Sequence, residues 1–287
     1  MKSERQHRED IVRFGRLLHQ RGYIAATDGN LSVRLDHETI LSTPTGMSKG
    51  MLEPEDLVVV DMKGKRVTGR RQVSSEIGMH LLIYSLRPDA HGIVHAHPPT
   101  ATGYAAAGLP LNQALVSEIV LSLGCIPLAR YATPGTPELV EALAPLVPQY
   151  DAVLMANHGV VTYGEDLTRA YMKMETVEHF AQITLVTHLL GRQQLLSQDD
   201  VGKLIDARER YGLTGPPKSV PGCPVTAGPA SQPARESASY AQAAASARGG
   251  DVSKSPDGSS AGKITVTREE LAAIVEDALR QTGKRRW

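Results

Sequence analysis

The amino-acid composition changes abruptly near residue 214, and this change limits which parts of the chain can build a hydrophobic core. Residues 214–262 are mostly Pro, Gly, Ser and Ala, and their only aliphatic side chains larger than alanine are Val220, Val225 and Val252. Such a segment buries too little apolar surface to offset the conformational entropy that it would lose on ordering. We therefore predict a folded domain over residues 1–213, followed by a flexible linker over residues 214–262.

Helix signals return after this linker, in residues 263–287. Thr267 and Glu270 have the spacing of a capping box, and Gly283 is a typical helix stop. The apolar side chains between them recur at helical spacing, at Leu271, Ile274, Val275, Ala278 and Leu279. A single helix of about four turns is marginal in water. We therefore predict a short amphipathic helix that docks on a partner surface or folds back on its own domain.

Strand and helix patterns interleave through residues 1–213. Helical spacing of apolar residues is found near residues 3–22, 74–88 and 165–191, and short apolar runs typical of strands lie between them. Several of the predicted strands follow one another as hairpins, for example around Gly64. This order predicts an α/β fold in which a mixed, mainly antiparallel β-sheet is flanked by helices.

The charge balance excludes several classes of partner. The chain has 31 Lys and Arg residues against 31 Asp and Glu residues, so it lacks the basic surface that nucleic-acid binding requires. No apolar run approaches the roughly 18 residues needed to span a bilayer, and the polar N-terminus is unlike a secretory signal. We therefore expect a cytoplasmic protein that binds neither nucleic acid nor membrane.

Two histidines stand two residues apart in the apolar segment IVHAHP, so His95 and His97 are predicted to project from one face of a strand. A third, His158, follows another apolar strand and precedes Gly159, where the chain is expected to turn. Three imidazoles on strand ends, with room for a water or a substrate oxygen, indicate a catalytic zinc site. The remaining histidines, His80 among them, lack such pairing and are predicted to be ordinary surface or packing residues.

Three short segments upstream of these histidines have features that bind anions: a tight turn, a hydroxyl beside a glycine amide, and a serine pair at a predicted helix N-terminus. They contain Gly29 and Asn30, Thr45 and Gly46, and Ser74 and Ser75. The serine pair is the strongest signal, because free backbone N–H groups, the helix dipole and two hydroxyls converge there. Together the three segments predict a phosphorylated substrate.

Glu76 directly follows the serine pair, in the first turn of the predicted helix. A glutamate there commonly interacts with the helix dipole. Near a zinc site, however, a carboxylate can also bind the metal or move a proton next to a metal-polarised carbonyl. Glu76 is therefore a candidate catalytic residue.

The order of the motifs DGN, TPTG, SSE, HAHP and ANHG resembles the class II aldolase/adducin head family, above all its fuculose-phosphate aldolase branch. The resemblance extends over about residues 5–213. It implies a central sheet flanked by helices and a homotetramer with sites between subunits. It also implies a zinc-dependent aldehyde-lyase that reversibly cleaves a ketose 1-phosphate, such as L-fuculose 1-phosphate, into dihydroxyacetone phosphate and an aldehyde such as lactaldehyde.

The resemblance also implies roles for individual residues. His95, His97 and His158 match the histidines that bind one Zn²⁺ per subunit. Glu76 matches the acidic residue that binds zinc at rest and accepts and donates the proton during the reaction. The phosphate would be held by Gly29, Asn30, Thr45, Gly46, Ser74 and Ser75.

Of two tyrosines that the family resemblance leads us to expect, this chain has a match for one only. Tyr211 in the segment YGL matches a tyrosine that reaches into the neighbouring subunit's site and helps to protonate the aldehyde oxygen. A second family tyrosine is expected within residues 116–118, where this chain has none. Glu118 is the candidate to replace it, and the aldehyde specificity is therefore left open.

The family resemblance leaves alternative functions open. A pentulose-phosphate 4-epimerase has the same fold and metal, but that branch is expected to carry Asp where this chain has Glu76. A methylthioribulose-phosphate dehydratase shares the zinc site. An adducin-like interaction protein would keep the fold and lose the metal ligands, which are present here.

The C-terminal helix, residues 263–287, resembles in layout and amphipathicity the encapsulation peptides that recruit enzymes into bacterial microcompartments. This resemblance implies a shell protein as a partner and a location inside a microcompartment. Fuculose-phosphate-type aldolases accompany microcompartments that process deoxysugar phosphates, which agrees with the implied chemistry of residues 1–213.

Overall fold

The computed structural model describes residues 2–211 of the 287-residue chain. Within these residues the chain forms one eight-stranded sheet. The strands are β1 (Asn30–Arg34), β2 (Thr39–Ser42), β3 (Val58–Asp61), β4 (Arg66–Thr68), β5 (Gly92–Ala96), β6 (Leu128–Ala129), β7 (Ala152–Met155) and β8 (Gly159–Gly164). The predicted linker over 214–262 and the predicted helix within 263–287 lie outside the described residues.

The strands are arranged in the order β4-β3-β2-β1-β5-β8-β7-β6. Every neighbouring pair is antiparallel except β6 and β7, which are parallel. The predicted mixed, mainly antiparallel sheet is therefore confirmed, and the hairpin predicted around Gly64 joins β3 to β4. The two halves of the sheet meet where β1 pairs with β5, with Asn30 opposite His95.

Seven α-helices accompany the sheet within the described residues. They are α1 (Glu4–Gln20), α2 (Ile77–Leu86), α3 (Pro99–Ala106), α4 (Ser117–Ser122), α5 (Pro137–Leu143), α6 (Leu167–Leu189) and α7 (Gln198–Asp206). Side chains of α2 and α5 pack in one apolar core, and those of α1, α3, α4, α6 and α7 pack in another. None of these helices is both long and apolar enough to cross a bilayer.

Alternation along the strands determines which side chains meet α2. In β1, Leu31 and Val33 belong to the core shared with α1 and α6, so Asn30 and Ser32 project to the opposite face. In β5, Val94 joins the same core as Leu31, and His95 projects to the opposite face. The polar side chains of the two central strands are thereby gathered on the face that α2 covers.

Some local predictions are corrected by the structure. The helix predicted to open at Ser74 or Ser75 begins at Ile77, with Glu76 as its N-cap. The reason is that Ser74 is used in a turn, since its carbonyl accepts from Ile77 N and its hydroxyl accepts from Glu76 N. The short elements α4, α7 and β6 were not predicted from the sequence.

Candidate metal centre

His95 lies near the end of β5 at the middle of the sheet and is fully buried. Its Nδ1 donates a hydrogen bond to the carbonyl oxygen of Val160 on β8, at 2.9 Å. Because a carbonyl can only accept, this bond assigns the proton of the neutral ring to Nδ1. The Nε2 lone pair is therefore available to a cation.

His97 and His158 bring their rings to the same point. His97 Nε2 lies 3.1 Å from His95 Nε2. His158 follows β7 in the tight turn to β8, and its ring centroid is 4.7 Å from that of His95 and 5.1 Å from that of His97. Gly159 permits this approach, because a Cβ there would lie 2.5 Å from His97 Cδ2.

Glu76, the N-cap of α2, completes the cluster and is 8% exposed. Its Oε2 accepts a hydrogen bond from Asn30 Nδ2 at 2.8 Å and lies 3.3 Å from His95 Nε2. Its Oε1 lies 3.3 Å from His158 Nε2. The carboxylate thus joins the ends of α2, β1 and β5 to the turn between β7 and β8.

The protonation states favour cation binding. Burial, with a smaller contribution from His95, lowers the pKa values of His97 and His158 to about 4. Burial also opposes a charge on His95, but the Glu76 carboxylate raises the pKa of that imidazole above its ordinary value. Burial alone would raise the pKa of Glu76, but His95, His158 and the Asn30 amide hold it well below its usual range. At neutral pH the carboxylate is ionised and at least two imidazoles are neutral, the forms that bind metals.

The residues present fit a divalent metal ion. The ligand atoms of His95, His97 and His158 all lie within 4.8 Å of one another. Glu76 Oε1 is buried and has no hydrogen-bond partner within the described residues, which is costly for a carboxylate oxygen unless a cation or a ligand group compensates it. Imidazole nitrogens with one carboxylate are the ligands of catalytic zinc sites, and the same set binds other first-row divalent metals.

The first anion-binding segment lies directly beside this cluster. Gly29 has a φ of 69°, and a Cβ there would lie 2.7 Å from the His95 carbonyl oxygen, so glycine is required on both counts. The side chain of Asn30 is buried and is bonded to Glu76 and to His80. The amide of Asn30 therefore supports the carboxylate in this structure.

The second and third segments are held against each other. Pro44 forms an isolated antiparallel bridge with Val73, and Thr45 N donates to the Gln72 carbonyl at 3.1 Å. This bridge brings the predicted phosphate residues of the two segments to one region next to Glu76. Among them Ser74 is buried, whereas the exposed ones are Thr45, Gly46 and Ser75.

Two further candidates lie away from the histidines. Tyr211 is 63% exposed, in a short 3-10 turn at the end of the described residues. Within residues 2–211, no hydrogen bond or ion pair joins Tyr211 to the histidine cluster. Glu118 is exposed in the first turn of α4.

The structure adds two residues that the sequence analysis missed. Asp28 Oδ2 lies 3.6 Å from His97 Nδ1, on the side of the ring away from His95. Lys49 is 2% exposed, and its ammonium donates to the carbonyls of Thr27 at 2.5 Å and Met47 at 3.0 Å, which ties the first two anion-binding segments together. Burial lowers the pKa of Lys49 to about 8. The proximity of Asp28 to Gly29 in the motif DGN was the only sequence signal for either residue.

Comparison with protein-family models shows a match over residues 9–185 to the class II aldolase and adducin N-terminal domain. The 3-oxo-tetronate 4-phosphate decarboxylase of Pectobacterium atrosepticum is 36% identical over 210 residues, which cover 71% of this chain and 94% of that protein. The 5-deoxy-D-ribulose 1-phosphate aldolase of Bacillus thuringiensis is 32% identical over 72% of this chain and 97% of its own length. A solved structure of an L-fuculose 1-phosphate aldolase superposes with a TM-score of 0.67 and 31% identity, over 74% of this chain and 98% of that one.

Proposed function

The chain belongs to the class II aldolase and adducin N-terminal domain family, and on that premise we propose that it is a metal-dependent lyase that cleaves a ketose 1-phosphate. The proposed substrate resembles L-fuculose 1-phosphate, and the products are dihydroxyacetone phosphate and an aldehyde such as lactaldehyde. One observation carries the proposal: the buried Oε1 of Glu76, without a hydrogen-bond partner among the described residues, beside three converging imidazoles.

His95, His97 and His158 would hold the metal, with Glu76 as a further ligand at rest, and Zn²⁺ is the proposed ion at one per subunit. A divalent metal held there supplies Lewis acidity that polarises the substrate carbonyl. The hydrogen bond from His95 Nδ1 to Val160 and the contact of Asp28 with His97 Nδ1 orient the two rings, so that their Nε2 atoms face the proposed metal.

Glu76 is the proposed proton carrier. In the cleavage direction the C4 hydroxyl loses its proton as C4 becomes the aldehyde carbon, and the electrons of the C3–C4 bond move toward C3 and the C2 oxygen. C3 then gains one proton, so no net proton is consumed. Since Asn30 occupies Oε2 of Glu76, the atom available to deliver this proton is Oε1.

The phosphate would be bound where the three anion-binding segments meet, by Gly29, Asn30, Thr45, Gly46, Ser74 and Ser75. Support comes from the bridge between Pro44 and Val73 and from the Lys49 ammonium that ties the loops at residues 27 and 47. This ammonium has no carboxylate within ion-pair distance in residues 2–211, so a phosphate in the adjoining cradle would be favoured by its charge.

A decarboxylase is the second candidate, because the relative from Pectobacterium atrosepticum, at 36% identity, is named for decarboxylation of 3-oxo-tetronate 4-phosphate. Loss of CO2 from that substrate also leaves dihydroxyacetone phosphate, through the same flow of electrons toward a polarised ketone. The 4-epimerase and the dehydratase remain alternatives on the same fold.

The substrate test measures metal content by elemental analysis and incubates the purified full-length protein with three compounds. These are L-fuculose 1-phosphate, 5-deoxyribulose 1-phosphate and 3-oxo-tetronate 4-phosphate. Dihydroxyacetone phosphate together with an aldehyde supports the aldolase, and dihydroxyacetone phosphate together with CO2 supports the decarboxylase. A folded protein that contains no metal would contradict both.

The test of Glu76 is the variant Glu76→Gln, with the exposed Glu165→Gln on the surface as control. Glu76→Gln is expected to retain metal and to abolish exchange of the C3 proton of dihydroxyacetone phosphate with solvent. Exchange at the wild-type rate in this variant would remove Glu76 from the mechanism.

We also propose a homotetramer in which Tyr211 serves the site of a neighbouring subunit and helps to protonate the aldehyde oxygen. The high exposure of Tyr211 supports this role, since an exposed side chain at the end of the described residues is available to a second subunit. Tyr211→Phe is expected to lower turnover without altering the sedimentation coefficient. Unchanged turnover would remove Tyr211 from the site, and a monomeric wild-type protein would contradict the shared site.

Residues 263–287 are proposed as an encapsulation peptide that binds a microcompartment shell protein. Deletion of these residues is expected to leave turnover intact and to abolish co-sedimentation with shells. Loss of turnover would instead assign the segment to the catalytic assembly.

A further inference from the structure

A chain of buried polar groups runs from Tyr84 to Glu76 between α2 and β1. Tyr84 OH lies 2.8 Å from Ser32 Oγ, which lies 2.6 Å from His80 Nδ1. His80 Nε2 lies 2.5 Å from Asn30 Oδ1, and Asn30 Nδ2 donates to Glu76 Oε2 at 2.8 Å. All five residues are buried, and Ser32 and His80 are fully inaccessible.

The regular elements place these groups in line. Glu76, His80 and Tyr84 are spaced four residues apart, which puts them on one face of a helix. Asn30 and Ser32 are two residues apart on β1 and project from the same face of the sheet. The chain of contacts therefore alternates between the helix and the strand.

Hydrogen-bond chemistry assigns one donor-to-acceptor direction to the whole series of hydrogen bonds from Tyr84 to Glu76. The Asn30 amide must turn its nitrogen to the Glu76 carboxylate, which only accepts, so its oxygen faces His80. His80 Nε2 must then carry a proton, and Nδ1 of the neutral ring accepts from the Ser32 hydroxyl. Tyr84 in turn donates to Ser32, so every donor is matched to an acceptor.

The neutral state of His80 follows from its surroundings. The ring is fully buried and touches no carboxylate directly, since Asn30 stands between it and Glu76. Burial, with a smaller effect of His95, lowers the pKa of His80 to about 3. A neutral ring has a single proton, so its tautomer decides which way the Asn30 amide turns.

We propose that His80, held as the Nε2–H tautomer by Ser32 and Tyr84, is a positioning residue that locks the Asn30 amide onto Oε2 of Glu76 and thereby presents Oε1 to the metal and the substrate. The opposite tautomer would turn a lone pair toward Asn30 Oδ1 and release the amide. This inference rests on the proposed function of Glu76, but its structural part concerns the protein without substrate.

The first test reads the tautomer directly. The metal-free full-length protein, labelled with ¹⁵N in its histidines, is examined by long-range ¹H–¹⁵N correlation spectroscopy, and His80→Gln identifies the signal. A protonated Nε2 and an unprotonated Nδ1 are expected at pH 7. A protonated Nδ1, or a doubly protonated ring, would overturn the proposal.

The second test uses two tyrosines as a matched pair. Tyr84 and Tyr163 are both almost fully buried in the same apolar core, but the hydroxyl of Tyr163 donates to the carbonyls of Val147 and Tyr150 and takes no part in the hydrogen bonds that lead to Glu76. Tyr84→Phe removes the donor to Ser32 and leaves the packing volume nearly unchanged. Tyr163→Phe removes a comparable buried donor that is not part of the hydrogen bonds leading to Glu76.

The measurements are the metal dissociation constant by chelator competition, the urea midpoint of the metal-free protein, and kcat and KM for the accepted sugar phosphate as functions of pH. Tyr84→Phe and His80→Gln are expected to weaken metal binding by about 10-fold or more, and to lower kcat and displace its pH profile with KM nearly unchanged. Tyr163→Phe is expected to lower only the urea midpoint.

Equal metal affinities in the three variants would show that the hydrogen bonds from Tyr84 to Glu76 only stabilise the fold, and would overturn the proposal. The tautomer and the metal affinity are measured without substrate. If none of the sugar phosphates is cleaved, the proposed lyase function fails, while these two readouts still decide the role of His80.

Discussion

The two ends of helix α2 differ in how completely their charged groups are paired. At the C-terminal end, Arg87 is 6% exposed and donates to both carboxylate oxygens of Asp89, at 2.8 and 2.6 Å. The same guanidinium lies 2.8 Å from Asp151 and donates to the carbonyls of Val147 and Tyr150. Burial alone would lower the pKa of Arg87, but Asp89 and Asp151 raise it above its ordinary value.

At the N-terminal end, Glu76 is as buried as Arg87, yet one of its carboxylate oxygens lacks a hydrogen-bond partner among the described residues. His158 Nδ1 is in the same condition. A buried charge that is fully paired stabilises one conformation, whereas an incompletely paired one keeps binding capacity for a ligand. The C-terminal end of α2 therefore contributes to stability, whereas its N-terminal end keeps the capacity to bind a ligand.

The strongest way to break this comparison is to remove a metal ligand. His95→Ala is expected to abolish stoichiometric metal binding and to lower lyase activity by about 1,000-fold or more, because polarisation by the metal contributes several kcal/mol. Elemental analysis and release of dihydroxyacetone phosphate measure the two effects. The control is His91→Ala, an exposed histidine just before β5. One metal per chain in His95→Ala would refute the assignment of the ligands.

The converse experiment changes Arg87, at the C-terminal end of α2. Arg87→Met leaves Asp151 with one cation fewer and takes from the carbonyls of Val147 and Tyr150 one of their two donors, the other being the Tyr163 hydroxyl. The free energy of unfolding in urea is therefore expected to fall by about 3 kcal/mol. Metal affinity is expected to stay at the wild-type value. Arg169→Met, which removes an exposed i,i+4 pair with Glu165, serves as control and should cost less than about 1 kcal/mol. A loss of metal affinity in Arg87→Met would mean that the two ends are coupled.

The pH dependence of folding stability is a smaller effect that also distinguishes the two ends of α2. Burial, with a smaller effect of His95, lowers the pKa of His80 in the folded protein to about 3, far below its ordinary value of 6.5. The unfolded chain therefore binds a proton that the folded protein excludes, and stability is lost as pH falls below 6.5. Between pH 6.5 and 5 this loss is about 2 kcal/mol for His80, whereas Arg87 remains charged throughout.

Urea unfolding of the metal-free wild type and of His80→Gln at both pH values isolates this contribution. The wild type is expected to lose about 2 kcal/mol more than the variant over this range. Equal pH dependence in the two proteins would show that His80 is not held neutral.

The residues of the candidate site were predictable where the signal is local. His95 and His97 were recognised because alternation along one strand is a property of neighbouring residues, and the apolar run around them indicated a buried strand. His158 was recognised because it follows an apolar strand and precedes Gly159, and Glu76 because it directly follows the serine pair. The structure brings all four side chains together, and their roles in catalysis remain a proposal.

What the sequence could not provide is long-range pairing. His80 was predicted to be an ordinary packing residue, because its place opposite Asn30 and Ser32 exists only once β1 lies beside α2, about 50 residues away in the chain. The pairing of β1 with β5 was hidden for the same reason. The short helix α4 has no side-chain cap, so its sequence carried little sign of where it begins.

The distribution of the three histidines along the chain has a consequence for how the protein matures. His95 lies in β5, His97 directly follows that strand, and His158 lies in the turn that leads into β8. The two strands come together only through the pairing of distant segments. A shift of one residue in that pairing would turn His95 to the opposite face. The full affinity for metal therefore requires that the central strands have reached their native register. Metal uptake during refolding would report the arrival of the native sheet rather than guide its assembly.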